Sequence, residues 1–328
     1  MQNNISVEKK SFLPVHILKN QVLMAALISV CIFLAMGIVS PRSINNNAIS
    51  SILAFTTMLA FAAAGQTIVV IAGGDGIDLS VGAVMSLGAV LAAETMNAKP
   101  EMILPALLVC IVAGIIVGLV NAFGIVKIGL PPLIMTLCVS SIVTRIQFII
   151  TKGTPYGTSP AVLTTTLTYN FFNIIPSIIL YGLVFSVVVF YILNWSRFGV
   201  QLFLTGNNET AAFLSGVRTK RVRVLAYVLC AVLSSVGGFI ACGYFNHVSV
   251  VMLDQYTMTS LAAVVIGGTA MAGGKGSYLG SIIGALVLTV LGNFLVVLDT
   301  SNSIRDIIMG AVLILMLTAY NRSQSIRQ

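Results

Sequence analysis

The sequence predicts an all-α polytopic membrane protein, and three observations lead to this prediction. Of the 328 residues, 58% are hydrophobic and only 8% are charged, whereas a soluble domain carries roughly 25% charged residues. The mean hydropathy is +1.04. The apolar residues form long runs of the length that a membrane span needs, about 20 residues. The net charge of +8 does not indicate a nucleic-acid partner, because the basic residues cluster between apolar runs.

Ten segments are candidate transmembrane helices. The third and the eighth are short and interrupted by glycine, so each could be a broken or re-entrant helix, and the expected count is eight to ten. The first apolar run is not followed by a clear small-x-small cleavage site and is interpreted as a retained span. The ten candidates are residues 21–39, 49–72, 79–96, 102–126, 133–150, 174–193, 222–244, 258–271, 278–298 and 304–319.

The distribution of lysine and arginine predicts which loops face the cytoplasm. With both termini inside, twelve of the seventeen basic residues fall on the cytoplasmic side, and the positive-inside rule favours this arrangement. Five of the twelve lie in residues 197–223. The other long polar stretch, 152–173, then lies outside, as a surface helix, a loop for an external partner or a plain connector. Arg145, within a span, is expected to snorkel to the outer headgroups. His247 and Asp254 fall in the short outer loop after the seventh candidate, where a solvated edge explains them.

A short helix is predicted inside the central loop, at residues 207–216. Asn207 or Asn208 would cap it, Glu209 would favour its first turn and Gly216 would end it. Such a helix either lies on the bilayer interface or inserts into a groove of a partner. The basic residues after it are expected to anchor the next span at anionic headgroups; they are Arg218, Lys220, Arg221 and Arg223. The residues proposed for partner contact are Asn207, Asn208, Glu209, Ala211, Ala212, Phe213 and Gly216.

Two glycine-rich stretches follow apolar helices in similar ways. VVIAGG (69–74) and VVIGG (264–268) each precede a helix rich in small residues. This likeness is compatible with an internal duplication, which many transporters carry, and equally with the chance similarity of helices rich in Gly and Ala. The small residues would let helices approach closely. The structural motif residues are Gly73, Gly74, Asp78, Ser80, Gly82, Gly267, Gly268, Gly273 and Gly274.

Neither glycine-rich stretch predicts chemistry. Asp75 and Asp78 are expected at the cytoplasmic boundary, because a charge at the bilayer centre costs about 3 kcal/mol on insertion scales, and Asp78 is expected to cap the next helix. Around Lys275 the phosphate-loop pattern G-x-x-x-x-G-K-[ST] fails at Thr269 and at Gly276. We therefore expect no nucleotide site, no metal site, no cofactor and no enzymatic activity in this chain.

Four polar residues lie in spans or near their ends. Such residues either bond between helices or line a polar route, and the sequence does not separate these options. The acids near spans, apart from Asp75 and Asp78, are predicted toward the outer ends, which makes proton coupling hard to build. The four pathway candidates are Gln66, Asn121, Gln147 and Asn293.

Three stretches resemble one family in the expected order. GGDGIDLSVGAVMSLGAV (73–90) resembles the GGIDLSVG signature of ABC-transporter permeases of the ribose and monosaccharide type, which are related to branched-chain amino-acid permeases. SRFGVQLFLTGNNETAAFLSGVRTKRV (196–222) resembles their cytoplasmic loop, and AAVVIGGTAMAGGKGSYLGSIIGALVL (262–288) resembles their signature near the C-terminus. Asp75 is an addition to the GGID pattern.

The resemblance implies an importer built from two permease chains, cytoplasmic ATP-binding cassette subunits that use the ATP, and an external or periplasmic substrate-binding protein. Residues 1–328 would form a single permease domain in the bacterial inner membrane, with 197–223 as its coupling loop. Glu209, Ala211, Ala212 and Gly216 would belong to the coupling helix. The expected solute is a sugar or a sugar-like small molecule. The alternative is an ion-coupled secondary transporter or channel that works without an ATPase.

Overall fold

In the computed structural model, which describes residues 21–154 and 156–325, the chain is almost entirely helical. Short 3₁₀ turns occupy Pro41–Ser43 and Pro100–Met102, and a π-helical turn, Phe123–Ile128, extends the fourth helix. Within the described residues the α-helices are α1 (Gln21–Val39), α2 (Asn46–Ile71), α3 (Val81–Met96), α4 (Ile103–Ala122), α5 (Pro132–Thr151), α6 (Ala161–Thr168), α7 (Ile178–Asn194), α8 (Arg197–Asn207), α9 (Glu209–Leu214), α10 (Thr219–Phe245), α11 (Tyr256–Ile266), α12 (Tyr278–Val297) and α13 (Asn302–Ser325).

The prediction of a many-span helical protein is confirmed. Each of the ten predicted segments contains a helix, and six helices are long and apolar enough to cross a membrane. The bent pair α7 and α8, which turns by 62°, brings the number to seven if it is one span. The two segments predicted as short are the 16-residue α3 and the 11-residue α11. By length and composition, the number of full spans in residues 21–154 and 156–325 is therefore six or seven.

Four short strands lie between the helices. β1 (Tyr156–Thr158) pairs antiparallel with β4 (His247–Val248), and β2 (Asn170–Phe171) pairs antiparallel with β3 (Ile175–Pro176). The β1–β4 ladder lies at the C-terminal end of α3, where the Ala98 N–H donates to the Thr158 carbonyl at 3.0 Å. The polar stretch 152–173 therefore forms the surface helix α6 together with strand edges.

The centre of the bundle is α10, which packs against α2, α3 and α4. α4 approaches α10 at Gly114 and Gly118, where an added Cβ would lie 2.6 Å from the Val232 Cα and 2.5 Å from the Val228 Cα. A glycine pair four residues apart lets two helix backbones touch. The outer side of α4 is apolar, with Leu108 55% exposed, as a lipid-facing surface requires.

Candidate coupling site and polar interior

The central loop forms two helices at the end of α7. Ser196 caps α8, accepting from the Gly199 N–H at 3.0 Å. Asn208 caps α9, and its Oδ1 accepts from the Ala211 N–H at 2.9 Å. Of the two asparagines predicted as alternatives, Asn208 is therefore the cap, and Asn207 is the last residue of α8. Gly216 follows α9 with φ +83°, a left-handed value that glycine adopts without strain.

The helix α9 exposes its large apolar side chains. Phe213 is 66% exposed and Leu214 is 79% exposed, whereas Ala212 is buried in the protein core. Ala211 and Gly216 are exposed as well. Of the residues predicted to contact a partner, Ala212 therefore faces inward, and Leu214, which was not among them, is one of the most accessible.

Arg223 connects α9 to the first glycine-rich loop. Its Nη2 lies 2.8 Å from Glu209 Oε2, and the two side chains are 25% and 42% exposed. The guanidinium also packs against Gly74, where an added Cβ would lie 2.8 Å from its Cζ. Arg223 is therefore paired with Glu209, and the expectation that it reaches lipid headgroups stays a prediction.

Backbone contacts join both glycine-rich loops to the end of α8, at a place we call the glycine junction (Gly73, Gly206, Gly273 and Gly274). The Gly274 N–H donates to the Ile71 carbonyl at 2.9 Å. A Cβ on Gly73 would lie 3.0 Å from the Gly206 Cα, and one on Gly273 would lie 2.5 Å from the Gly73 Cα. Main chains touch there without room for side chains, directly before the α9 cap.

The other motif glycines let neighbouring segments approach closely. A Cβ on Gly82 would lie 2.6 Å from the Asp254 carbonyl oxygen, and one on Gly267 would lie 2.6 Å from the Ser281 nitrogen. Gly268 has φ +88°. The close approach predicted for these small residues is confirmed. The internal duplication stays a prediction, since the helices before the two breaks differ in length: α2 has 26 residues and α11 has 11.

Asp78 is buried in the protein, and its place at the cytoplasmic boundary stays a prediction. It is 1% exposed, and its Oδ1 accepts from the Ser80 N–H at 2.8 Å and from the Ser80 hydroxyl at 2.6 Å. Asn121 Nδ2 donates to that hydroxyl at 2.9 Å. The predicted capping is only approximate, because α3 begins at Val81 and its N-cap is Ser80. Burial raises the pKa of Asp78, while the Ser80 hydrogen bonds act in the opposite direction.

Asp78→Asn is expected to be tolerated, and Asp78→Leu is not. Asn keeps an oxygen that accepts from Ser80 and removes the cost of burying an ionised carboxylate. Leu leaves the Ser80 N–H unpaired, which costs about 1–3 kcal/mol. The melting temperature of the detergent-purified protein should fall clearly for Asp78→Leu and stay near the wild-type value for Asp78→Asn. Equal melting temperatures for the two variants would contradict this account.

The four pathway candidates occupy different environments. Gln66 and Asn121 are fully buried, and Gln147 is buried with its Nε2 donating to the Ala83 carbonyl at 3.0 Å and its Oε1 accepting from the Val251 N–H at 3.3 Å. Asn293 is half-buried and donates to the Thr289 carbonyl at 2.9 Å. Asn121 and Gln147 therefore bond between elements in this conformation. A place on the solute route stays a prediction for all four.

Three residues of this region could not be singled out from the sequence. Gly206 lies in a helix and carries no motif of its own, and Arg223 belongs to an ordinary basic run. Asp254, expected in a solvated outer loop, accepts from the Ser86 hydroxyl at 3.0 Å. All three acquire their contacts from residues far away in the chain.

These features define a class of protein: a membrane-embedded helical bundle that presents an exposed apolar helix next to buried helix breaks. The chain belongs to the family described as branched-chain amino acid transport system / permease component, whose model matches residues 48–317. No solved structure gives a significant match to the chain.

Curated relatives cover nearly the whole chain. The ribose import permease protein of Escherichia coli (strain K12) is 28% identical over 322 residues, which is 96% of this chain and 98% of the relative. The ribose import permease protein of Bacillus subtilis (strain 168) is 30% identical over 266 residues, 80% of each chain. The autoinducer 2 import system permease protein of Salmonella typhi is 28% identical over 290 residues, 88% of this chain and 82% of the relative.

Family membership establishes the type of activity. The chain is a multi-pass membrane protein and the permease component of an ABC importer, not an enzyme. It carries no cofactor, because a partner subunit hydrolyses the ATP. The family's ATPase and binding-protein partners are implied as well. An ion-coupled transporter or channel without an ATPase, the alternative that the sequence left open, is therefore set aside.

Proposed function

We propose that this chain is the membrane subunit of an importer for a sugar or a sugar-like small molecule. Relatives that are named as permeases for ribose and for autoinducer 2 support this class of solute. The single permease domain of residues 1–328 lies in the bacterial inner membrane with both termini in the cytoplasm, as the excess of basic residues in the cytoplasmic loops favours. It works with a second permease chain and with an external substrate-binding protein.

Within this proposal, α9 is the surface that contacts the ATP-binding subunit. The observation that carries this assignment is the exposure of Phe213 and Leu214 on a short capped helix among basic residues. α7 and α8 meet at a 62° bend, and α9 follows α8 directly. Large apolar side chains in water favour a partner that covers them, and a groove that receives a short helix provides such cover.

The contacts of Glu209 and Arg223 suggest how a movement of α9 reaches the bundle. The ion pair attaches α9 to the N-terminal part of α10, and the same guanidinium packs against Gly74 in the loop after α2. A displacement of α9 by the ATP-binding subunit is therefore transmitted to two central helices. A helix shift between two packed arrangements is an established way of switching a protein between states.

The assignment of α9 is tested by site-specific cross-linking in the assembled complex. A photo-reactive cysteine label at Leu214→Cys is expected to cross-link to the ATP-binding subunit. The control is Val200→Cys on α8, 57% exposed, which should cross-link to the ATP-binding subunit much less. If α9 lies on the bilayer interface instead, the Leu214→Cys label will react with lipid and leave the ATP-binding subunit unlabelled.

A further inference from the structure

The segment between β4 and α11 is non-helical chain that runs into the bundle. It starts at the β1–β4 ladder, next to Ala98, and reaches Thr257, whose hydroxyl accepts from the Gly82 N–H at 3.0 Å. Gly82 is the second residue of α3, so the segment descends along most of that helix, about 20 Å at 1.5 Å per residue. Residues 249–255 are therefore a re-entrant segment.

Part of this re-entrant segment is exposed. Val251 is 39% exposed and Gln255 is also exposed, although Leu253 beside them is buried. Irregular backbone at membrane depth is tolerated only where it is buried in protein or lines a water-filled cavity, because lipid offers its N–H and C=O groups no partner. The exposed side of the re-entrant segment therefore does not face lipid.

One flank of α5 lies next to the exposed side of the re-entrant segment. Ser140, Thr144 and Gln147 share a flank of the helix by their spacing, and the Gln147 Oε1 accepts from the Val251 N–H at 3.3 Å. Exposed Ser141 and Arg145 adjoin this flank. The polar flank of α5 therefore borders the re-entrant segment.

The other flank of α5 is of a different kind. Its exposed residues are Ile142, Ile146 and Ile149, which are 58%, 41% and 77% exposed. This apolar flank suits lipid chains. The polar exposed residues of α5 are therefore confined to one flank, where Leu137 and Phe148 are exposed beside them, whereas the opposite flank exposes isoleucines.

We propose that the polar flank of α5 and the re-entrant segment line the water-filled passage through which the solute moves. This inference rests on the proposed import function and deepens it. The groups along the passage are the hydroxyls of Ser141 and Thr144, the guanidinium of Arg145, the amide of Gln255 and the half-buried Asp254 carboxyl. Such a set of donors and acceptors suits a polyhydroxylated solute, which replaces its hydration water by hydrogen bonds.

The test is cysteine labelling with a charged, membrane-impermeant methanethiosulfonate. The background carries Cys31→Ser and Cys138→Ser, because these two cysteines are exposed and Cys110, Cys230 and Cys242 are buried. Ser141→Cys and Gln255→Cys are expected to be labelled in whole cells or in inside-out vesicles. Ile142→Cys and Ile146→Cys, on the same helix as Ser141→Cys, are the matched controls and should stay unlabelled.

Three results would overturn the proposal. Equal labelling of Ser141→Cys and Ile142→Cys, or no labelling of Ser141→Cys and Gln255→Cys from either side, would show that no aqueous surface follows the polar flank. In the complex with the ATP-binding subunit, ATP with vanadate should change the labelling of Gln255→Cys, since a transport passage changes its access. If ATP with vanadate leaves the labelling of Gln255→Cys unchanged, the exposed surface belongs to a static crevice and not to a transport passage. The labelling of the chain without the ATP-binding subunit does not depend on α9. The assignment of α9, tested by cross-linking at Leu214→Cys, and the proposed passage can therefore fail independently of each other.

Discussion

Gly206→Ala is expected to prevent the protein from reaching its folded state in normal amounts. An added Cβ at this position would overlap the carbonyl oxygen of Ile71 and lie 2.5 Å from the Gly274 nitrogen. Both neighbours are backbone atoms, so relief requires that α8 moves away from α2 and from the 267–277 loop. Overpacking of a well-packed site typically costs about 1–3 kcal/mol and occasionally more, and here it also breaks the glycine junction.

The measurements are the amount of protein in the membrane and the melting temperature of the purified chain. Gly310→Ala is the matched control, because an added Cβ on this α13 glycine meets nothing within 4 Å and its φ is not positive. That variant should behave like the wild type. If Gly206→Ala keeps the wild-type melting temperature, the backbone contacts of the glycine junction are not important for stability.

The local features of the coupling loop were predictable because they depend on neighbouring residues. An asparagine before an acidic residue and a glycine eight residues later are strong signals for a short capped helix, and Asn208 and Gly216 fulfil them. Apolar run length likewise located all ten helices that carry the predicted spans. These signals are contained within a few turns of the chain.

The sequence did not predict the contacts that tie the loop to the bundle, since these join residues that lie far apart in the chain. Nothing near Arg223 distinguishes it from Arg221, yet only Arg223 pairs with Glu209 within the described residues. Hydropathy also could not show how far two acids are enclosed: Asp78 was predicted at the cytoplasmic boundary and Asp254 in a solvated outer loop. Both are buried or half-buried and accept hydrogen bonds from serine hydroxyls.

For the proposed coupling loop, we therefore expect that its two parts act together. The sequence suggested a helix for partner contact followed by a separate basic anchor. The ion pair instead joins the first part to the second, and Gly74 brings in the loop after α2. Mutations in the basic run should therefore affect coupling at Arg223 and leave it intact at the exposed Arg221.

Arg223→Ala is expected to uncouple ATP hydrolysis from the state of the membrane subunit while leaving the protein folded. The pair is partly exposed, and such pairs contribute about 0–1 kcal/mol to stability, so the melting temperature should change little. The loss of the link between α9 and α10 should have a larger effect, because movement of α9 then no longer reaches the helix or the loop at Gly74. Glu209→Ala should have the same effect, since it removes the other partner of the ion pair.

The measurement is the ATP hydrolysis rate of the complex in proteoliposomes, compared with and without the external binding protein. Wild-type complex and Arg221→Ala should respond to the binding protein, and Arg223→Ala and Glu209→Ala should respond weakly or not at all. The double variant should be no worse than either single variant, because both changes remove the same interaction. Additive losses in the double variant, or a normal response of Arg223→Ala, would show that the two residues act independently and that coupling follows another route.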